Sequence, residues 1–167
     1  GFDSFEGMHD SDHPADVGTW EKGDYPGDKE ILETFFHSNN MHNIKLIKGY
    51  FNKTLNDIED SFCPQFILID CDYYTSTLDI FVNLKNKLQS GTLIYFDDLG
   101  TNFYNRNMGE EKVIHEINNG ALGESFHLEK LYRRVYVWSD SEKPIKKINQ
   151  NKLSIPLQKS SKLSDFY

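Results

Sequence analysis

The sequence predicts an α/β fold with a doubly wound, mostly parallel sheet and an antiparallel hairpin at its C-terminal end. Three observations carry this prediction. Apolar runs of strand length alternate with segments of helical periodicity. Two of those runs, Gln65–Asp70 and Thr92–Asp97, are almost continuously apolar up to a terminal aspartate, as expected of strands covered on both faces. The last two runs, Phe126–Leu128 and Arg134–Trp138, lie too close together for a helix between them.

The elements follow in order. Gly1-Phe2-Asp3-Ser4-Phe5 reads as the end of a strand entering a loop, and with no initiator Met the chain is expected to be a fragment. Residues 4–28 are polar and rich in Gly, Pro and Asp, hence a long loop of the kind that commonly carries function. Asp28 is placed to cap a helix whose apolar positions are Ile31, Leu32, Phe35 and Phe36, and Ser38-Asn39-Asn40 ends it. Ile44–Ile47 predicts a short strand stopping at Gly49, and Thr54–Asp60 a short helix. After the strand ending at Asp70, Leu78, Phe81, Val82, Leu84 and Leu88 mark a helix over about 75–88, broken by Gly91. A loop over 99–109 follows the strand ending at Asp97. Gly109–Asn118 then predicts a helix with Val113, Ile114 and Ile117 inward. From Ser139 the chain turns Lys/Ser/Asn-rich, so the division is a partial domain over 1–140 and a polar tail or extension over 141–167.

Composition narrows the function classes. With 167 residues, 38% hydrophobic and 14% aromatic, the chain is globular. A formal charge of −8 disfavours binding of nucleic acid through a basic face. No run approaches a membrane span and no signal peptide is visible, so no membrane association is expected. Cys63 and Cys71 make no disulfide framework, and the expected setting is reducing and cytoplasmic.

Chemistry concentrates where the two buried strands end. A strand–helix–strand crossover brings Asp70 and Asp97 to one sheet edge, where open α/β sheets place their sites. Carboxylates converging there repel, and need a cation, a shared proton or hydrogen-bond donors. Oxygen ligands favour Mg²⁺, Mn²⁺ or Ca²⁺, and such a cation could orient a substrate hydroxyl and lower its pKa. The plainer alternative is that these aspartates are loop residues, with Asp72 capping the next helix.

Asp70-Cys71-Asp72-Tyr73-Tyr74-Thr75-Ser76-Thr77, followed by Gly91-Thr92-Leu93-Ile94-Tyr95-Phe96-Asp97-Asp98, resembles the macrocin O-methyltransferase family, which methylates sugar hydroxyls. Phe2-Asp3-Ser4-Phe5-Glu6-Gly7 and Lys48-Gly49-Tyr50-Phe51-Asn52-Lys53-Thr54-Leu55 resemble two further stretches of that family, in the right order. The resemblance implies a Rossmann-like class I methyltransferase fold and S-adenosylmethionine as methyl donor. It also implies a divalent cation, Mg²⁺ or similar, and a small-molecule hydroxyl as acceptor. Asp3 and Ser4, with Gly49, Tyr50 and Phe51, would hold the cofactor, Asp3 at its ribose and an aromatic ring at its adenine. Asp70, Asp97 and Asp98 would hold the metal, and Asp70, with Asp72 as second candidate, would take the acceptor's proton. His9, His13 and His115 are other conceivable bases. Tyr73 stands where some relatives place a Lys or His base.

The family's first strand and its Gly-rich loop have no counterpart here, and no Gly-x-Gly-x-x-Gly occurs. The chain alone is therefore expected to be inactive and to bind cofactor weakly. Two alternatives stand beside this reading. A haloacid-dehalogenase-like phosphohydrolase also uses Asp-x-Asp after one strand and Asp-Asp after another, although Tyr74 replaces its usual Thr or Val and Lys85 and Lys87 lie mid-helix. A non-catalytic remnant of the fold would keep neither ligand binding nor turnover. An uncovered hydrophobic strand edge predicts self-association as a homodimer or larger species; light scattering at micromolar concentration checks this, and a monodisperse monomer contradicts it.

Overall fold

Strand–helix alternation resolves into two sheets. The computed structural model describes residues 1–16 and 20–142. Their order is β1 (Phe2–Asp3), α1 (Lys29–Ser38), β2 (Ile47–Lys48), α2 (Phe51–Thr54), β3 (Phe66–Ile69), α3 (Tyr74–Leu84), β4 (Leu93–Phe96), α4 (Gly109–Asn118), β5 (Phe126–Tyr132) and β6 (Val135–Asp140). β1 and β2 form a two-stranded parallel pair, with Phe2 opposite Ile47. The larger sheet runs β3-β4-β6-β5. In it β3 and β4 are parallel, with Ile69 opposite Phe96, and β6 pairs antiparallel with both β4 and β5. The expected C-terminal hairpin is present. The expected mostly parallel sheet is not: among the described residues the two parallel pairs lie in separate sheets, and the larger sheet has more antiparallel than parallel ladders. No helix among the described residues is long and apolar enough to cross a membrane.

Several local expectations shift for physical reasons. β3 is not covered on both faces. It is an edge strand, and Phe66 and Leu68 are each 58% exposed while Ile69 is buried. An apolar cleft of about 700 Å³ separates β3 from β1, lined by Phe2, Leu32, Leu46, Phe66 and Leu68 among others. α1 is capped as expected, Asp28 Oδ1 accepting the Ile31 N–H at 3.0 Å. Its apolar stripe meets no core, however: no residue of α1 is buried, and Phe35 is 55% exposed. β2 spans only Ile47–Lys48, because only those residues reach β1. α2 starts at Phe51 rather than Thr54, immediately after Gly49 (φ +142°) breaks the chain direction, and the Thr54 hydroxyl donates to the Tyr50 carbonyl within that turn. β6 extends through Ser139 and Asp140, where Asp140 N–H donates to Ser90 Oγ at 2.8 Å. The remainder of the expected tail, residues 143–167, lies outside the described residues.

The core sits between the larger sheet and helices α3 and α4. Phe81, Ile94, Phe96, Leu99, Val113, Ile117, Leu128 and Trp138 are fully buried there. Trp138 stacks between Phe81, 5.8 Å away, and Phe126, 5.2 Å away, measured between ring centroids. This aromatic stack ties the hairpin to α3, so the parallel β3–β4 pair is buttressed from behind. Trp138→Ala should therefore cost about 3–5 kcal/mol of unfolding free energy, whereas Phe35→Ser on exposed α1 should change it by less than about 0.5 kcal/mol. Urea unfolding of the two variants checks both, and equal losses would contradict this placement of the core.

Candidate functional site

Parallel pairing of β3 and β4 sends both strand ends to one edge. The ladder continues one step beyond the strands, with Asp97 N–H donating to the Ile69 carbonyl at 2.9 Å. Asp70 and Asp97 thus leave the sheet side by side. After Asp70 the chain turns sharply: Tyr73 N–H donates to the Cys71 carbonyl at 2.6 Å, and Asp72 takes a left-handed conformation (φ +59°) that Asp tolerates better than most residues. The turn returns Asp72 toward its neighbours. Carboxylate oxygens of Asp70, Asp72 and Asp98 all lie within 4.8 Å of one another.

Asp97 points differently from the other three. Its Oδ1 accepts from Arg134 Nη1 at 3.1 Å, an ion pair with both side chains partly exposed. Its charge still reaches the cluster. Burial, then Asp97 and Asp3, push the Asp70 carboxyl up. Burial, then Asp70 and Asp97, do the same for Asp98. Asp72 is pushed up to about 7, first by burial and then by Asp98 and Asp70. Asp98 Oδ2 is buried with no hydrogen-bond partner. An oxygen-only donor set, crowded, partly dehydrated and short of donors, suits a hard divalent cation.

The cluster forms one wall of a cleft of about 630 Å³. Asp3, Ser4, Gly49, Tyr50 and Phe51 line the same cleft, so all five residues expected to hold the cofactor are brought to the carboxylates. Asp3 ends β1, and its Oδ1 accepts the Phe5 N–H at 2.5 Å. Gly49 ends β2, where a Cβ would approach Thr54 Cγ2 to 2.8 Å, so only glycine fits. An acid at one strand end with an exposed aromatic at the next matches the polar and flat faces of a nucleoside.

From the 4–28 segment Ser4, Gly7, Met8, His9, Trp20 and Tyr25 line this cleft, and here sequence reasoning missed residues. α3 is not capped by Asp72. Its Thr75 N–H and hydroxyl donate to Asp16, at 3.3 and 2.7 Å, an aspartate 59 positions earlier that Ser11 also reaches. Tyr73 OH donates to the Trp20 carbonyl at 3.3 Å. His9 lies edge-on to Tyr73 with its Nε2 at 3.3 Å from Thr75 Oγ1, inside the cleft. His13 stacks on Tyr74, and His115 meets Asn119. Lys85 and Lys87 bind the Leu122 carbonyl and Asp60, and neither lines the cleft. Glu110 was also missed. It is 2% exposed, and its Oε2 accepts the Asp98 N–H at 3.0 Å. Burial first, then Asp98, push its carboxyl up to about 9. The signal was available: position 110 falls three and four residues before Val113 and Ile114, on the buried stripe of α4.

Comparison with known proteins places this geometry. The model of the family described as Macrocin-O-methyltransferase (TylF) matches residues 1–120. Among solved structures, the O-methyltransferase NovP is similar with a TM-score of 0.57 and 19% identity, over 84% of this chain and 58% of that one. CalS11, a calicheamicin methyltransferase, gives 0.56 and 20%, over 83% and 58%. The chain thus spans 58% of either structure's length, and at these identities the likeness is one of fold. No curated protein matches the chain in sequence.

The raised carboxyls set a pH dependence. Glu110 goes from an ordinary 4.5 to about 9 on folding, and Asp72 from 3.8 to about 7. Between those limits the folded protein holds more protons than the unfolded chain, so stability falls as pH rises. With chelator present, urea unfolding at about pH 5.5, 6.5 and 7.5 should show progressively lower stability, and Glu110→Gln should flatten the slope. A stability that rises across this window contradicts the burial of these acids.

Proposed function

This chain belongs to the macrocin O-methyltransferase family, and on that footing we propose that it serves an S-adenosylmethionine-dependent, Mg²⁺-assisted O-methyl transfer to a hydroxyl of a sugar or other small molecule. The observation that supports this best is the meeting of Asp70, Asp72 and Asp98 in the same cleft as Asp3, Gly49 and Tyr50.

The residues divide the work as follows. Asp70 and Asp98, which meet in the cluster, would hold the cation; Asp97, expected as a third ligand, is turned to Arg134 instead. Arg134 balances Asp97 from the solvent side. Asp3 would accept from the ribose hydroxyls of the cofactor, and Tyr50 and Phe51 would offer it aromatic faces. Bound S-adenosylmethionine would supply an electrophilic methyl, and bound Mg²⁺ would acidify the acceptor hydroxyl. Asp72, in the cluster and two residues beyond Asp70, would be placed to accept that hydroxyl's proton. Asp70 is the alternative base. With so little covalent work for the protein, rate enhancement comes chiefly from alignment and exclusion of water, and Trp20 and Asp16, tied to Tyr73 and Thr75 at the cleft, would serve both.

The phosphohydrolase reading lacks a lysine in the cleft among the described residues. Thermal unfolding with and without Mg²⁺ tests the metal site: saturation at about 100 times Kd should add about 2.7 kcal/mol, and Asp98→Asn should abolish most of it. A parent protein indifferent to Mg²⁺ points to a non-catalytic remnant. In the protein that carries this sequence, transfer of labelled methyl to sugar hydroxyls should fall about 10²–10⁴-fold in kcat for Asp72→Asn. Mg²⁺-dependent hydrolysis of p-nitrophenyl phosphate, lost in Asp70→Asn, would overturn the methyltransferase reading.

A further inference from the structure

Strand β4 ends with a backbone problem. Its N–H groups alternate between β3 and β6: Asp97 N–H goes to the Ile69 carbonyl of β3, and Phe96 N–H goes to the Arg134 carbonyl beside β6. The next N–H on the β6 side belongs to Asp98. There β6 has already turned away through Arg133 (φ +40°), so no ladder acceptor remains. A buried N–H must find a partner. Glu110, in the first turn of α4, supplies it: its Oε2 accepts the Asp98 N–H at 3.0 Å from 12 residues along the chain.

Two further observations show that Glu110 is placed rather than tolerated. Its side chain is 2% exposed, and Oε1 is buried with no partner, so it is not a solvated acid at a helix start. The start of α4 is also pressed against the site. A Cβ on Gly109 (φ +51°) would approach Asn102 Nδ2 to 2.9 Å and the Asp72 carbonyl to 3.3 Å, and Gly109 N–H donates to the Ala15 carbonyl. The start of α4 is thus packed against the Asp72 turn, and Glu110 meets Asp98 there.

We propose that Glu110 is a positioning residue for the metal site: by accepting the Asp98 N–H where the β4 ladder ends, it sets the backbone angle at which the Asp98 carboxylate faces Asp70 and Asp72. This rests on the reading of Asp70 and Asp98 as metal ligands. The sequence shows only an acid in a helix first turn, ordinarily explained by the helix dipole.

The test compares Glu110→Gln, which keeps an acceptor, with Glu110→Met, which keeps volume and removes it. Each is measured for Mg²⁺ affinity by titration and for hydrogen exchange at the Asp98 amide. Glu110→Gln should stay within about threefold of the parent Kd. Glu110→Met should remain folded in chelator, expose the Asp98 amide to faster exchange, and weaken Mg²⁺ binding about 10-fold or more, the usual effect of losing an outer hydrogen-bond partner. A merely structural role would lower thermal stability and leave Mg²⁺ affinity alone. Glu110→Met with parental affinity, or with an unchanged Asp98 amide, overturns the inference while leaving the metal reading intact. A parent that binds no Mg²⁺ overturns both, and that failure is visible before any variant is compared.

Discussion

Everything at the site depends on one pairing, the parallel register that sets Ile69 against Phe96. Parallel strands joined by a helix must end at the same edge, and the residues after them are then neighbours whatever their mutual repulsion. The register is held from behind by side chains that share no chemistry with the site. Phe96 packs with Phe81 and Tyr136, and Phe81 stacks on Trp138. The hydrophobic stack thus fixes the carboxylates, which on their own would separate.

That division explains why the acidic cluster can exist without disrupting the fold. Asp70, Asp72 and Asp98 are each shifted toward the protonated form, by burial before repulsion. A protein that holds such groups together spends stability to do so, and this is the local strain expected at functional sites. Protons, Arg134 and Glu110 offset parts of it in different ways. Arg134 neutralises Asp97 at the exposed rim. Glu110 sits behind the cluster; its own carboxyl is raised by burial and by Asp98, and what it satisfies is the Asp98 backbone N–H. A divalent cation would address what these leave, including the unpartnered Asp98 Oδ2.

The remaining architecture serves access. Asp16 caps α3 and Trp20 accepts from Tyr73, so the helix start that follows the Asp70–Asp72 turn also anchors the described residues on either side of position 18. The cleft and the carboxylate turn are therefore one mechanical unit. The apolar space between β1 and β3 is separate in character, lined by Phe2, Phe66 and Leu68. Asp3 and Asp70 border both spaces, which puts the two strand ends at the junction between them.

Local patterning alone determined the helices with strong punctuation: Asp28 as cap of α1, Gly109 as the start of α4, and part of the stripe of α3, which ends at Leu84 and buries Phe81 and Leu84 but leaves Val82 exposed. It also determined that two apolar strands end in aspartate, because strand length and a terminal acid are properties of a few consecutive residues. It could not determine whether an apolar stripe finds a core. Ile31 and Phe35 have the right spacing and remain exposed, while Phe66 and Leu68 read as buried and lie at an edge. Nor could it assign partners across long separations. Asp16 to Thr75, Glu110 to Asp98 and Arg134 to Asp97 are 59, 12 and 37 residues apart. Charge and hydrogen-bonding capacity are written in each residue, but direction is set by where the backbone has already been placed. Only the tertiary structure decides that Asp98 turns toward Asp70 and Asp72, and that Asp97 faces an arginine.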